Sequence, residues 1–173
     1  AHVSDELPLK YILSAFWEGQ EGSFLLWMFW NCVLGFFFFR FKSKLHPAIL
    51  MVILGVNLIL STMLLGIYIG DSRIGSSPFS LLRHTMNIPL FNNAEYTKLI
   101  KGNGLNPLLQ NYWNIIHPPT LFLGFASTIV PFAYALAALI YQEYKNWITE
   151  VLPWALFSGF ILGTGVLMGG AWA

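Results

Sequence analysis

His117 is the side chain whose type and setting point most directly to chemistry. It stands in the run Tyr112-Trp113-Asn114-Ile115-Ile116-His117-Pro118-Pro119. A residue before proline is pushed out of the α region, and prolines in tandem are tolerated where a helix begins. The spacing therefore predicts that His117 is held at a junction between two helices. An imidazole so placed can ligate haem iron, and Tyr112 and Trp113 are flat, partly apolar rings able to cover the edge of such a ligand. The same residues also suit an interfacial histidine that hydrogen-bonds a carbonyl and holds no ligand.

The other candidates carry less. His84, beside Arg83, shares the long polar segment with His117, so it is either a partner ligand or a solvated loop residue. His46 precedes Pro47 on the opposite side of the membrane and reads as a helix-start residue; His2 lies at the start of the chain, where its setting is undefined. Cys32 sits within an apolar block, is the one cysteine, and is expected to be a buried helix residue. Arg73, Arg83, Lys98 and Lys101 are expected to be solvated loop charges, with pairing to haem propionates or to a haem-delivering partner as the alternative. No spacing resembles a zinc site, and no serine, cysteine or carboxylate pair forms a recognisable nucleophile arrangement.

A membrane bundle must position these residues. Of 173 residues, 56% are hydrophobic, 17% aromatic and only 10% charged, and mean hydropathy is +0.61. Soluble domains carry about 25% charged residues, so this chain lacks the charge to coat a surface in water. Apolar blocks at 23–39, 47–70, 115–141 and 151–172 are of the length that crosses a bilayer as helix, ~20 residues. Backbone groups in lipid must be satisfied within the segment, and the alternation of a membrane barrel is absent. The expected fold class is all-α: a polytopic membrane protein with four transmembrane helices in one membrane domain over 1–173. Its long outer loop, 71–114, is expected to contain a short interfacial helix begun by Asn106 and Pro107, with Leu108, Leu109, Tyr112, Trp113 and Ile116 on one face. A net charge of +1 makes no case for nucleic acid. Opening at Ala1 and stopping at Ala173 within an apolar run, the chain reads as an internal piece of a longer membrane protein.

Charge placement predicts orientation. Arg40, Lys42 and Lys44 lie between the first two spans and Lys145 between the last two, which puts both short connections on the cytoplasmic side and the long loop outside. At the first span, Glu21 precedes Gly22 and Ser23, placing an acid near the positive helix end with a serine able to cap it. Pro47 suits the start of the second span. In the last span, Gly159 to Gly163 and Gly165 to Gly169 are two G-x-x-x-G spacings, expected to serve helix packing within the protein.

Two polar motifs carry a resemblance. The run Trp17-Glu18-Gly19-Gln20-Glu21-Gly22-Ser23-Phe24-Leu25-Leu26-Trp27 resembles the W-x-x-x-E-G-S-x-x-L-W signature of the CcmF-type cytochrome c haem lyases of system I maturation. Leu105-Asn106-Pro107-Leu108-Leu109-Gln110, leading to Ile116-His117-Pro118-Pro119 and Leu123-Gly124, is similar to a second segment of that family. Val130-Pro131-Phe132-Ala133 with Ala135-Leu136-Ala137 is similar to its third-span pattern. The resemblance implies that His117 is an axial ligand of haem b at the outer face, and that the reaction is covalent attachment of haem to the C-x-x-C-H motif of apocytochrome c. It implies apocytochrome c, haem-delivery and thiol-reducing maturation proteins, and membrane lipid as partners, and a bacterial inner membrane location with the polar motifs facing the periplasm. It also implies that a tryptophan-rich loop follows the fourth span. The roles of Trp17, Glu21, Gly22, Ser23, Pro118 and Pro119 within these motifs stay unassigned, with Glu21 as readily an anchor as a chemical group. Two other classes stay open: a haem-relay membrane subunit, and a transporter or respiratory subunit without haem.

Overall fold

The computed structural model describes residues 3–93 and 95–173, so His2 lies outside the described residues. Four apolar helices dominate: α2 (Gln20–Arg40), α3 (His46–Thr62), α6 (Tyr112–Tyr141) and α7 (Trp147–Trp172). Three of them, α2, α6 and α7, are long and apolar enough to cross a membrane, while α3 is a shorter apolar helix. The protein is an all-α, multi-pass membrane protein.

Helix α6 stands at the centre, packed against α2, α3 and α7. Its inward positions are small or β-branched, namely Ala126, Ser127, Val130, Ala133 and Ala137, and they meet Phe38 of α2 and Ile49 and Ile53 of α3. Without a hydrophobic driving force in lipid, such helices associate through close packing and interhelical hydrogen bonds. Asn31 on α2 donates from Nδ2 to Asn57 Oδ1 on α3 at 2.9 Å. Because Asn31 takes the interior position, its neighbour Cys32 is rotated about 100° round the helix. Cys32 is therefore exposed on the flank of the bundle, not buried as the sequence predicts.

The tightest crossing joins α6 and α7. A Cβ on Gly124 would come within 2.8 Å of the Leu162 Cα, and one on Gly165 within 2.9 Å of the Leu121 Cα. Of the two glycine spacings on α7, Gly165 and Gly169 lie in this contact, while Gly159 and Gly163 meet nothing within 4 Å.

The second predicted span is corrected. It ends at Thr62 rather than at 70: the turn tightens to Met63 N→Leu60 O and Leu64 N→Ser61 O bonds, Ser76 N takes the Met63 carbonyl, and Gly66 turns the chain away at φ +61°. Residues 67–70, read as helix, instead enter a hairpin of β1 (Ile67–Ile69) and β2 (Ser72–Ile74), with Ile69 opposite Ser72 across a Gly70-Asp71 turn. Gly70 has φ +61°, which such two-residue turns require of their first central residue.

At the end of the bundle that carries the long loop, the N-terminal segment forms a cap. Helix α1 (Leu9–Ala15) lies on α6, and Leu7, Ala15 and Leu105 make a small separate core with Tyr11 and Leu109. Among the described residues, the rest of the loop holds short pieces: α4 (Leu82–Thr85), α5 (Tyr96–Leu99) and single 3-10 turns at Pro89–Asn92 and Pro107–Leu109.

Candidate functional site

The predicted interfacial helix does not form. Asn106 caps as expected, accepting from Leu108 N at 3.0 Å, but the turn it starts ends at Leu109. Gln110 leaves the helical region (φ −80°, ψ 56°), and Asn111 then caps α6 by accepting from Asn114 N at 3.1 Å. Tyr112 through Ile116 are therefore the first residues of α6, and His117 lies within its second turn rather than at a junction.

Pro118 and Pro119 lie inside this helix, a placement that needs a reason. Proline has no N–H, so Pro118 leaves the carbonyl of Asn114, four residues back, without its helical donor. Trp17 supplies one: its Nε1–H donates to Asn114 O at 2.9 Å across 97 positions of sequence. The Asn114 side chain adds two bonds, from Nδ2 to Leu109 O at 2.9 Å and to Ser14 Oγ at 3.3 Å. The loop-end cap and the start of α6 are thus tied through one asparagine, 3% exposed.

His117 faces α7. Its Nδ1 lies 2.9 Å from the Gly165 carbonyl oxygen. A carbonyl only accepts, so Nδ1 carries the proton, and in the neutral ring Nε2 holds the lone pair. No hydrogen bond engages Nε2 among the described residues. Gly169 makes room for the ring, since a Cβ there would approach His117 Cε1 to 2.9 Å, and the Trp172 ring stands at 5.9 Å and 62°. Trp113, one turn before His117, shares its face and is half-buried. Tyr112 contacts Trp113 at 6.1 Å but is 65% exposed and lies about 140° round the helix from His117. The carbonyl bond that one reading of the sequence expected is present, and it presents the other ring nitrogen.

The first motif folds around Trp17. Gly19, not Ser23, is the N-cap of α2, with no side-chain cap bond, and Glu21 sits in the first turn. Ser23 Oγ turns back to donate to Trp17 O at 2.9 Å. A Cβ on Gly22 would overlap the Phe16 carbonyl, so only glycine lets the chain pass there. Sequence reasoning missed Asn114, Gly165, Gly169 and Trp172 as parts of the site. The proline spacing held the signal for Asn114, because Pro118 announces a carbonyl in need of a donor.

The remaining candidates lie elsewhere. Among the described residues no contact joins His84 to His117; His84 Nε2 accepts from Arg83 Nε at 3.2 Å on exposed α4. Lys98 pairs with Glu95 at 2.6 Å, both largely exposed. His46 is buried at the opposite end of the bundle, at the start of α3.

Residues 17–173 match the family model of the cytochrome c assembly protein. The chain belongs to the cytochrome c assembly protein family. Its curated relatives include the cytochrome c-type biogenesis protein CcmF of Pseudomonas aeruginosa, 37% identical over 172 residues, a match covering 96% of this chain and 23% of that protein. CcmF of Escherichia coli is 31% identical, covering 100% of this chain and 24% of that protein. The cytochrome c-type biogenesis protein NrfE of Haemophilus influenzae is 30% identical, covering 100% and 25%. The chain thus spans about a quarter of the length of these relatives. No solved structure matches it. Both polar motifs of this assembly-family chain, the one at Trp17 and the one at His117, fall within the matched residues.

Proposed function

We propose that this chain forms one side of a haem site in a membrane protein of cytochrome c maturation, a haem lyase that promotes thioether attachment of haem to apocytochrome c. The observation that carries this reading is the state of His117: Nδ1–H donates to Gly165 O, and among the described residues nothing bonds Nε2. A metal-ligating histidine characteristically anchors its other ring nitrogen on a carbonyl or carboxylate, which fixes tautomer and ring plane. The donor set fits haem b: one neutral imidazole on a partly buried helix face, with Trp113 and Trp172 as the flanking rings.

Bound there, haem supplies vinyl carbons across which the two thiols of a C-x-x-C-H motif add, each S–H to one C=C, with no leaving group. The chain's own work is positioning. His117 offers the lone pair, Gly165 keeps the ring from rotating, and Gly169 leaves it space. Tyr112 serves by supporting Trp113. Apocytochrome c, the haem-delivery proteins and the proteins that reduce its thiols meet the loop end, which faces the periplasm from the bacterial inner membrane. The single membrane domain over 1–173 holds this half of the site.

The test uses the intact protein in membranes with an apocytochrome c, under limiting haem. His117→Gly is expected to abolish haem absorbance from this site and covalent attachment, and added imidazole to restore part of both. Normal attachment yield in His117→Gly would reject the assignment.

A further inference from the structure

We propose that Trp17 is a positioning residue for His117, acting through the carbonyl that Pro118 leaves without a donor; this rests on His117 being the haem ligand. In a regular helix the turn from 114 to 118 is closed by an N–H at 118 bonding the carbonyl at 114. That N–H does not exist here, and the turn carries His117 immediately before the proline. The indole of Trp17 closes it from outside at 2.9 Å. Indole nitrogen is a donor only, so it matches an orphaned carbonyl.

The donor is itself held. Ser23 Oγ bonds the Trp17 carbonyl at 2.9 Å, and Gly22 lies directly under the Phe16 carbonyl, so the tight link between α1 and α2 sets where the indole points. A second strut, Asn114 Nδ2 to Ser14 Oγ at 3.3 Å, joins the same two segments. His117 is then fixed twice, its backbone turn by Trp17 and its ring by Gly165 O at 2.9 Å. The W-x-x-x-E-G-S and H-P-P runs form one device: proline opens a backbone acceptor next to the ligand, and the tryptophan motif fills it.

A double-mutant cycle on the intact haem-loaded protein tests this. Trp17→Phe removes the N–H and keeps the ring. Pro118→Ala returns a backbone N–H to Asn114 O. Readouts are haem occupancy by absorbance, the midpoint potential and low-spin ligand-field signature of the bound haem, and the melting temperature of the haem-free protein. Trp17→Phe is expected to lower haem affinity roughly tenfold and to shift potential and spectrum at unchanged protein level. In the Pro118→Ala background the same change is expected to have little effect on any readout. An equal effect of Trp17→Phe in both backgrounds would overturn the proposal, since the indole would then act through other contacts. Unchanged affinity, potential and spectrum in Trp17→Phe, while His117→Gly loses haem, would overturn the positioning role and leave the ligand assignment standing. Haem retained in His117→Gly would overturn both.

Discussion

His46 and His117 share a sequence context, each immediately before proline near the start of an apolar helix, yet the bundle treats them in opposite ways. His46 is 8% exposed, with Nδ1 on the Phe41 carbonyl, Nε2 3.5 Å from Tyr134 Oη and the Phe38 ring edge-on at 5.0 Å. Both of its nitrogens are spoken for. His117 is half-buried, uses only Nδ1 among the described residues, and leans on a helix thinned to glycine at 165 and 169. The difference teaches that a His-Pro step does not make a ligand. What sets His117 apart is one anchored nitrogen, one open nitrogen, and a neighbour that leaves space beside the ring.

That contrast is open to direct attack. The largest effect is expected from His117→Gly, a loss of roughly a hundredfold or more in haem affinity, against unchanged haem absorbance in His46→Asn; loss of the spectrum in both would erase the distinction. Next, Gly22→Ala is expected to lower stability by about 1–3 kcal/mol through overpacking on the Phe16 carbonyl, measured as melting temperature in detergent. Gly169→Ala should press a methyl on His117 Cε1 and weaken haem binding roughly tenfold, with the protein still folded. The smallest effect belongs to Gly163→Ala, which meets open space and should change stability by less than about 0.5 kcal/mol. If Gly163→Ala instead matches Gly169→Ala, steric access to the imidazole is not what sets His117 apart. Orientation is checked without perturbing either site. A cysteine at Asn103 is expected to react with impermeant reagent from the periplasmic side, and one at Lys44 only after permeabilisation.

Much of the fold was legible in the sequence, and the misreadings have specific causes. Block hydropathy located α2, α6 and α7 because lipid spans need long apolar runs whatever they pack against. It overran α3, since Leu64, Leu65 and Ile67 are apolar while the chain has already left the helix, with Met63 O taken by Ser76 N and Gly66 at φ +61°. Pro118 and Pro119 were read as a helix start by the rule that proline costs a hydrogen bond. The rule holds, but for Pro118 a donor from 97 residues away meets the cost, and no local pattern contains that information. Ser23 was read as a cap from its type, whereas the tight link behind α2 gave its hydroxyl the Trp17 carbonyl instead.

Residue types and order alone determined that the chain is a membrane bundle, which ends carry polar motifs, and that His117 is the residue to watch. These follow from transfer energetics and side-chain chemistry, which belong to short segments. Only the tertiary structure decided which nitrogen of His117 is free, that Gly165 and Gly169 shape its pocket, and that Trp17 stands in for a missing N–H. Those depend on carbonyls and indoles brought together from distant segments, and hydrogen-bond geometry exists only once the helices have packed.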